Sequence, residues 1–117
     1  MVAVIEDDES YRLAVQRLLK SAGHSVQSFS SAEAFLGSGQ QYETGCLITD
    51  IKMPGMSGLE LQYKLNCDHC PTPTIFITAH GDGKMRLEAM RGGAVKFFVK
   101  PFDGEDLLEA VRVALNS

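Results

Sequence analysis

The sequence predicts an α/β domain in which a five-stranded parallel sheet is covered by helices on both faces. Short apolar runs rich in Val, Ile and Phe alternate with amphipathic segments five times along the chain, the pattern of a sheet whose crossovers are helices. The 117 residues suffice for one such core without disulfides or metal. No internal repeat, low-complexity tract or linker divides them, so residues 1–117 are read as a single domain.

The runs are Val2 to Glu6, Ser25 to Phe29, Cys46 to Asp50, Thr74 to Thr78 and Val95 to Val99. Four of them read as buried on both faces. The second alternates apolar with polar residues, as a strand with one exposed face or edge does, and is the expected edge strand. Tyr11, Val15, Leu18 and Ala22 form one stripe of a first helix, which stops where Gly23 can turn left-handed. Leu108, Val111 and Leu115 form the stripe of the last helix, with Asp103 placed to cap it and Asp106 three positions on. Ser31 to Leu36, Gly58 to Leu65 and Lys84 to Arg91 predict three shorter helices, the last with Met85, Leu87, Ala89 and Met90 to bury. Gly55, Gly58, Gly81, Gly83 and Gly92-Gly93 punctuate the loops, and Pro54 and Pro101 follow strand ends.

Composition removes several function classes. Fifteen acidic against eleven basic residues give a net charge of −4, a sign that repels a phosphate backbone, so no direct nucleic-acid contact is expected. No apolar stretch is long enough to cross a membrane, and no basic segment precedes the first apolar run as in a signal peptide. Cys46, Cys67 and Cys70 are an odd count of thiols, as in a chain kept in a reducing compartment. The expectation is a cytoplasmic protein with no membrane contact.

In a doubly wound sheet the residues at the carboxyl ends of the strands converge on one edge, where such folds place ligands. Here those residues are Glu6, Asp7 and Asp8 after the first run, Asp50 after the third, Thr78 after the fourth and Lys100 after the fifth. Carboxylates gathered that closely repel one another unless a cation compensates. Oxygen ligands alone, in a site with room for water and a phosphate, select Mg²⁺. With the ion and the Lys100 ammonium in place, Asp50 can accept a phosphoryl group, chemistry that asks for in-line positioning and charge neutralisation. Asp7 would bind the metal directly, Glu6 through water, and the Lys52 backbone carbonyl would complete the shell. Thr78 would donate its hydroxyl to one phosphoryl oxygen and Lys100 would pair with another.

These residues carry a resemblance. The acidic cluster, the stretch Leu47-Ile48-Thr49-Asp50-Ile51-Lys52-Met53-Pro54-Gly55-Met56-Ser57-Gly58, Ile77-Thr78-Ala79 and Lys100-Pro101-Phe102 stand in the order and spacing of the receiver domains of two-component response regulators. The resemblance implies a flavodoxin-like sheet of strand order 2-1-3-4-5 and Mg²⁺-dependent phosphorylation of Asp50 from a sensor histidine kinase's phosphohistidine. It implies a switch in which Thr78 is drawn inward, Phe97 turns into the space vacated, and the surface of the fourth helix, fifth strand and fifth helix changes partners. The 43-residue step from Asp7 to Asp50 fits the family spacing and selects Glu6 and Asp7 as the metal pair, with Asp8 as the register alternative. Phe97 lacks the hydroxyl of a tyrosine at that position. Asp50 to Leu61 with Thr78-Ala79-His80-Gly81-Asp82 is similar to regulators with a LuxR-type helix-turn-helix output. That implies phosphorylation-promoted homodimers and a DNA-binding domain beyond Ser117; without such a domain the chain would be a stand-alone relay.

Simpler roles compete with these. Read singly, Asp8 and Asp82 are cap or turn residues, Thr78 is ordinary strand filler and Phe97 is core. His80 is read as shaping access to the site rather than as a ligand. Cys67-Asp68-His69-Cys70 lacks a second pair at zinc spacing, and its predicted place in a loop after the third helix suits two thiols in a surface connection. A Mg²⁺-dependent phosphohydrolase with an aspartyl-phosphate intermediate uses the same residue types. However, Lys52 stands where a second acid would follow the nucleophile, and the chain has no cap domain. The expectation is a phosphoacceptor rather than an enzyme, with a pure interaction module as the third class.

Overall fold

A computed structural model describes residues 1–70, 72–79 and 83–116. Its strands are β1 (Val2–Ile5), β2 (Val26–Phe29), β3 (Cys46–Thr49), β4 (Thr74–Thr78) and β5 (Lys96–Val99). They pair in parallel in the order β2-β1-β3-β4-β5. The helices are α1 (Glu9–Ser21), α2 (Ala32–Ser38), α3 (Gly58–Cys67), α4 (Gly83–Arg91) and α5 (Gly104–Leu115), with a 3₁₀ turn at Gln40–Tyr42 that the sequence had not marked. No helix among the described residues is long and apolar enough to cross a membrane.

Period-two alternation sends successive side chains to opposite faces. Val2, Val4, Cys46, Ile48, Ile75 and Ile77 meet Val15 and Leu19 of α1 and Leu107, Val111 and Ala114 of α5. On the other face Ala3, Ile5 and Leu47 meet Phe35 of α2 and Leu61 and Leu65 of α3, while Phe76 and Phe97 meet Ala89 of α4 together with Ile51 and Ala94. Burial pushes the Cys46 thiol up to about 12, so it stays protonated in the core.

Several expectations shift. β5 is not buried on both faces: Lys96 and Val99 are exposed, because β5 is the second edge of an open sheet. The buried stripe of α1 runs through Leu19, while Ala22 is an exposed cap residue outside the helix; Gly23 is left-handed, φ +89°, as expected. In α5, Leu107, Ala110, Val111 and Ala114 are buried and Leu115 is not. Of the four apolar residues expected to bury α4, only Ala89 does so fully, and Leu87 and Met90 are 50% and 44% exposed. Pro54 lies in the β3–α3 loop, clear of the strand end. Cys67 is the exposed last residue of α3 rather than a loop residue, and Cys70 is half-buried with its thiol facing the Gln41 carbonyl at 3.4 Å. His80 and Asp82 lie outside the described residues.

Candidate functional site

Backbone bonds fix the rim at the carboxyl end of the sheet. The Glu6 amide donates to the Phe29 carbonyl at 3.1 Å and the Asp50 amide to the Ile5 carbonyl at 3.2 Å, so the two acids emerge from adjacent strands. The Lys100 amide donates to the Thr78 carbonyl at 2.8 Å, which continues the β4–β5 ladder one residue beyond β5 and starts the lysine stem at that edge. Lys100 follows β5 directly and precedes Pro101 through a cis peptide bond.

From there its Nζ reaches across β4 to donate to Glu6 Oε1 at 2.5 Å and to Asp50 Oδ2 at 3.1 Å. The pairing leaves Glu6 and Asp50 only 5% and 8% exposed. Burial raises the Glu6 pKa above the ordinary carboxyl value, and the Lys100 hydrogen bond offsets part of that rise. Burial works to lower the Lys100 pKa, but its bonds to Glu6 and Asp50 prevail and hold it above the usual lysine value. The other Asp50 oxygen accepts the Ile51 amide at 2.7 Å and the Lys52 amide at 3.3 Å, which orients the carboxylate from its own loop.

The loop's next turn depends on Gly58, whose amide donates to the Ile51 carbonyl at 2.8 Å. A Cβ there would collide with the Asp50 carbonyl oxygen. Ser57 and Glu60 close a capping box at the start of α3. Gly55 sits at φ +77° beneath Glu33, whose carboxylate accepts the Met56 amide at 2.9 Å and ties α2 to this loop.

Glu6, Asp7 and Asp50 each offer a carboxylate oxygen within 4.8 Å of the others, with Asp7 the solvent-facing member. An all-oxygen donor set with one exposed arm fits Mg²⁺, which keeps several waters. Asp8 is otherwise engaged: it is the N-cap of α1, its side chain accepting the Tyr11 amide at 3.1 Å. The cap role expected of Asp8 taken singly is therefore the one it fills. Thr78 ends β4 fully buried, paired in register with Val99. Phe97 is 7% exposed and packs beside Phe76. The side chain of Lys52 is exposed.

Sequence reasoning gave two residues of α1 no place at the site. Arg12 donates from Nη1 to the Glu6 carbonyl at 2.8 Å. Tyr11 places its ring under the lysine, with Nζ 4.0 Å from the centroid. The available signal was position: residues in the first turns of a helix that follows a strand end lean back over that end.

Comparison with known proteins agrees with this geometry. Residues 2–112 match the response regulator receiver domain family. The chain is 46% identical over 116 residues to the response regulator protein TmoT of Ectopseudomonas mendocina, covering 99% of this chain and 53% of that protein. It is 44% identical over 115 residues to the transcriptional regulatory protein FixJ of Azorhizobium caulinodans, covering 98% and 54%. The chain thus spans about half the length of the curated relatives it matches. The crystal structure of FixJ-N superposes with a TM-score of 0.89 at 40% identity, covering 98% of this chain and 92% of that one. The response regulator StyR gives 0.91 at 44%, covering 98% and 58%. A parallel sheet in the order 2-1-3-4-5 with an acidic rim and a lysine across it, matched along nearly its whole length, belongs to the receiver domain family of the two-component response regulators.

Proposed function

We propose that Asp50 accepts a phosphoryl group from the phosphohistidine of a sensor histidine kinase, in a Mg²⁺-dependent reaction, and that this controls an output domain beyond the chain. The observation that carries the reading is the Lys100 ammonium shared between Asp50 and Glu6 beside a three-carboxylate cluster. Glu6, Asp7, Asp50 and the Lys52 carbonyl would hold the ion, which when bound supplies positive charge to the acceptor and the phosphoryl oxygens.

In the transfer an Asp50 carboxylate oxygen forms a bond to phosphorus as the phosphorus–nitrogen bond of the donor breaks, and the electron pair leaves on the imidazole nitrogen. Lys100 moves from the carboxylates to a phosphoryl oxygen, and the Thr78 hydroxyl donates to another. Phe97 then repacks, and the α4–β5–α5 surface changes. Transcription-regulator names among the relatives support a C-terminal DNA-binding output, and phosphorylation-promoted homodimers in a cytoplasmic setting complete the proposal.

Intact mass after incubation with acetyl phosphate and Mg²⁺ tests the reading. One phosphoryl adduct that Asp50→Asn removes is expected. No adduct with any donor overturns it in favour of an interaction module, and an adduct that survives Asp50→Asn overturns Asp50 as the acceptor. Steady turnover of a small phosphate monoester would instead identify a phosphohydrolase.

A further inference from the structure

Tyr11 lies one helical turn beyond Asp7, in the first turn of α1. The Lys100 ammonium has three N–H bonds. Two are directed to Glu6 and Asp50, and the Tyr11 ring lies 4.0 Å from the nitrogen. The ring is braced from behind: its centroid is 6.2 Å from that of Phe102, which is 5.6 Å from that of Phe98. A row of three aromatic rings thus runs from β5 through the loop that carries Lys100 into α1.

The two carboxylate partners of Lys100 are the groups whose surroundings change most in the reaction. In that reaction Asp50 would become a mixed anhydride and cease to offer its carboxylate charge, and Glu6 would share its charge with the metal site. A lysine stem with four rotatable bonds would then be free to swing into solvent. An aromatic face attracts a cation through its quadrupole while carrying no net charge. It therefore adds no repulsion toward an incoming dianionic phosphoryl group, as a third carboxylate would.

Resting on the reading of Asp50 as acceptor, we propose that Tyr11 is a positioning residue for phosphoryl transfer: its ring is the seat that keeps the Lys100 ammonium at the rim while its carboxylate partners are exchanged for phosphoryl oxygens. Burial raises the Tyr11 pKa, with Lys100 opposing and Glu6 and Asp50 adding to the rise, so the ring stays neutral at working pH.

The test compares wild type with Tyr11→Phe, which keeps the ring, and with Tyr11→Leu and Tyr11→Met, which fill the space without one. In wild type and Tyr11→Phe the Lys100 Cε protons show an upfield ring-current shift by NMR, and in the Leu and Met variants that shift is lost. Phosphorylation by acetyl phosphate at saturating Mg²⁺ falls about tenfold in Leu and Met and is retained in Phe, while Mg²⁺ affinity changes less than about twofold. A variant that merely loosened packing would weaken Mg²⁺ binding and disturb the amide spectrum along with the rate; if one of Leu and Met fails to fold, the other carries the comparison. Unshifted lysine protons in wild type, or a folded Leu or Met variant reacting at the wild-type rate, overturns the role of Tyr11 and leaves the Asp50 reading standing. Absence of any wild-type adduct overturns the Asp50 reading and this role with it.

Discussion

The acidic rim and the α4–β5 flank hang on the same sheet under opposite conditions. Beneath the rim, Ile5, Leu47 and Ile48 are all but fully buried in central strands β1 and β3, and Glu6, Asp8 and Asp50 are each held by hydrogen bonds. On the flank, α4 buries only Ala89, and Leu87, Met90 and Val99 face solvent. Charges that repel must be held by backbone with no freedom to relax apart. A helix anchored through few apolar contacts opens locally at low cost. On the function proposed above, the switch has its input on the rigid part of the fold and its output on the loose part.

The largest effect should come from removing the cation between two nearly buried acids. Lys100→Met is expected to lower metal-free stability by about 3 kcal/mol at pH 7, read as the urea midpoint. The sign with pH follows from Glu6, whose pKa burial already raises and which rises further without its partner. A carboxyl raised on folding contributes stability below its ordinary pKa of 4.5 and loses it as pH rises through the raised value. The deficit should shrink as pH falls toward that range. A deficit that does not change with pH would mean that packing of the lysine stem, not its charge, was lost.

Next come two identical substitutions placed in the two regions. Gly58→Ala drives a methyl into the Asp50 carbonyl and should cost about 2 kcal/mol. Gly83→Ala starts α4 with a methyl that meets nothing and should gain about 0.5 kcal/mol through the entropy of the unfolded chain. Effects of equal sign in thermal melts would break the contrast between a crowded rim and an open flank. The smallest change is expected for Leu87→Ser, within about 0.5 kcal/mol of wild type in the same melts. A larger loss would show that α4 is seated more firmly than its burial indicates.

Much of this was legible in the linear order of residues. Strand positions followed from apolar runs, Asp103 and the left-handed Gly23 from cap chemistry, and the site from which residues end each run. Less legible was anything that depends on what lies beside an element. That β5 is an edge depends on how many strands follow it, and the exposure of Leu87 and Met90 on how little of the sheet α4 covers. Tyr11, Val15 and Leu18 of the expected α1 stripe do pack on the core, but that Leu19 rather than Ala22 completes it depends on the angle of the helix on the sheet.

Periodicity and the residues that end each run by themselves determined the class of fold, the caps and the acidic rim with its lysine, because these depend on residues close in sequence or on a strand end whose direction the parallel topology fixes. The tertiary structure alone decided that Lys100 holds Glu6 as well as Asp50, that Asp8 caps α1, and that the ring of Tyr11 lies under the lysine. Those are contacts between groups up to 94 residues apart, and side-chain reach across strands settles them, which no local pattern encodes.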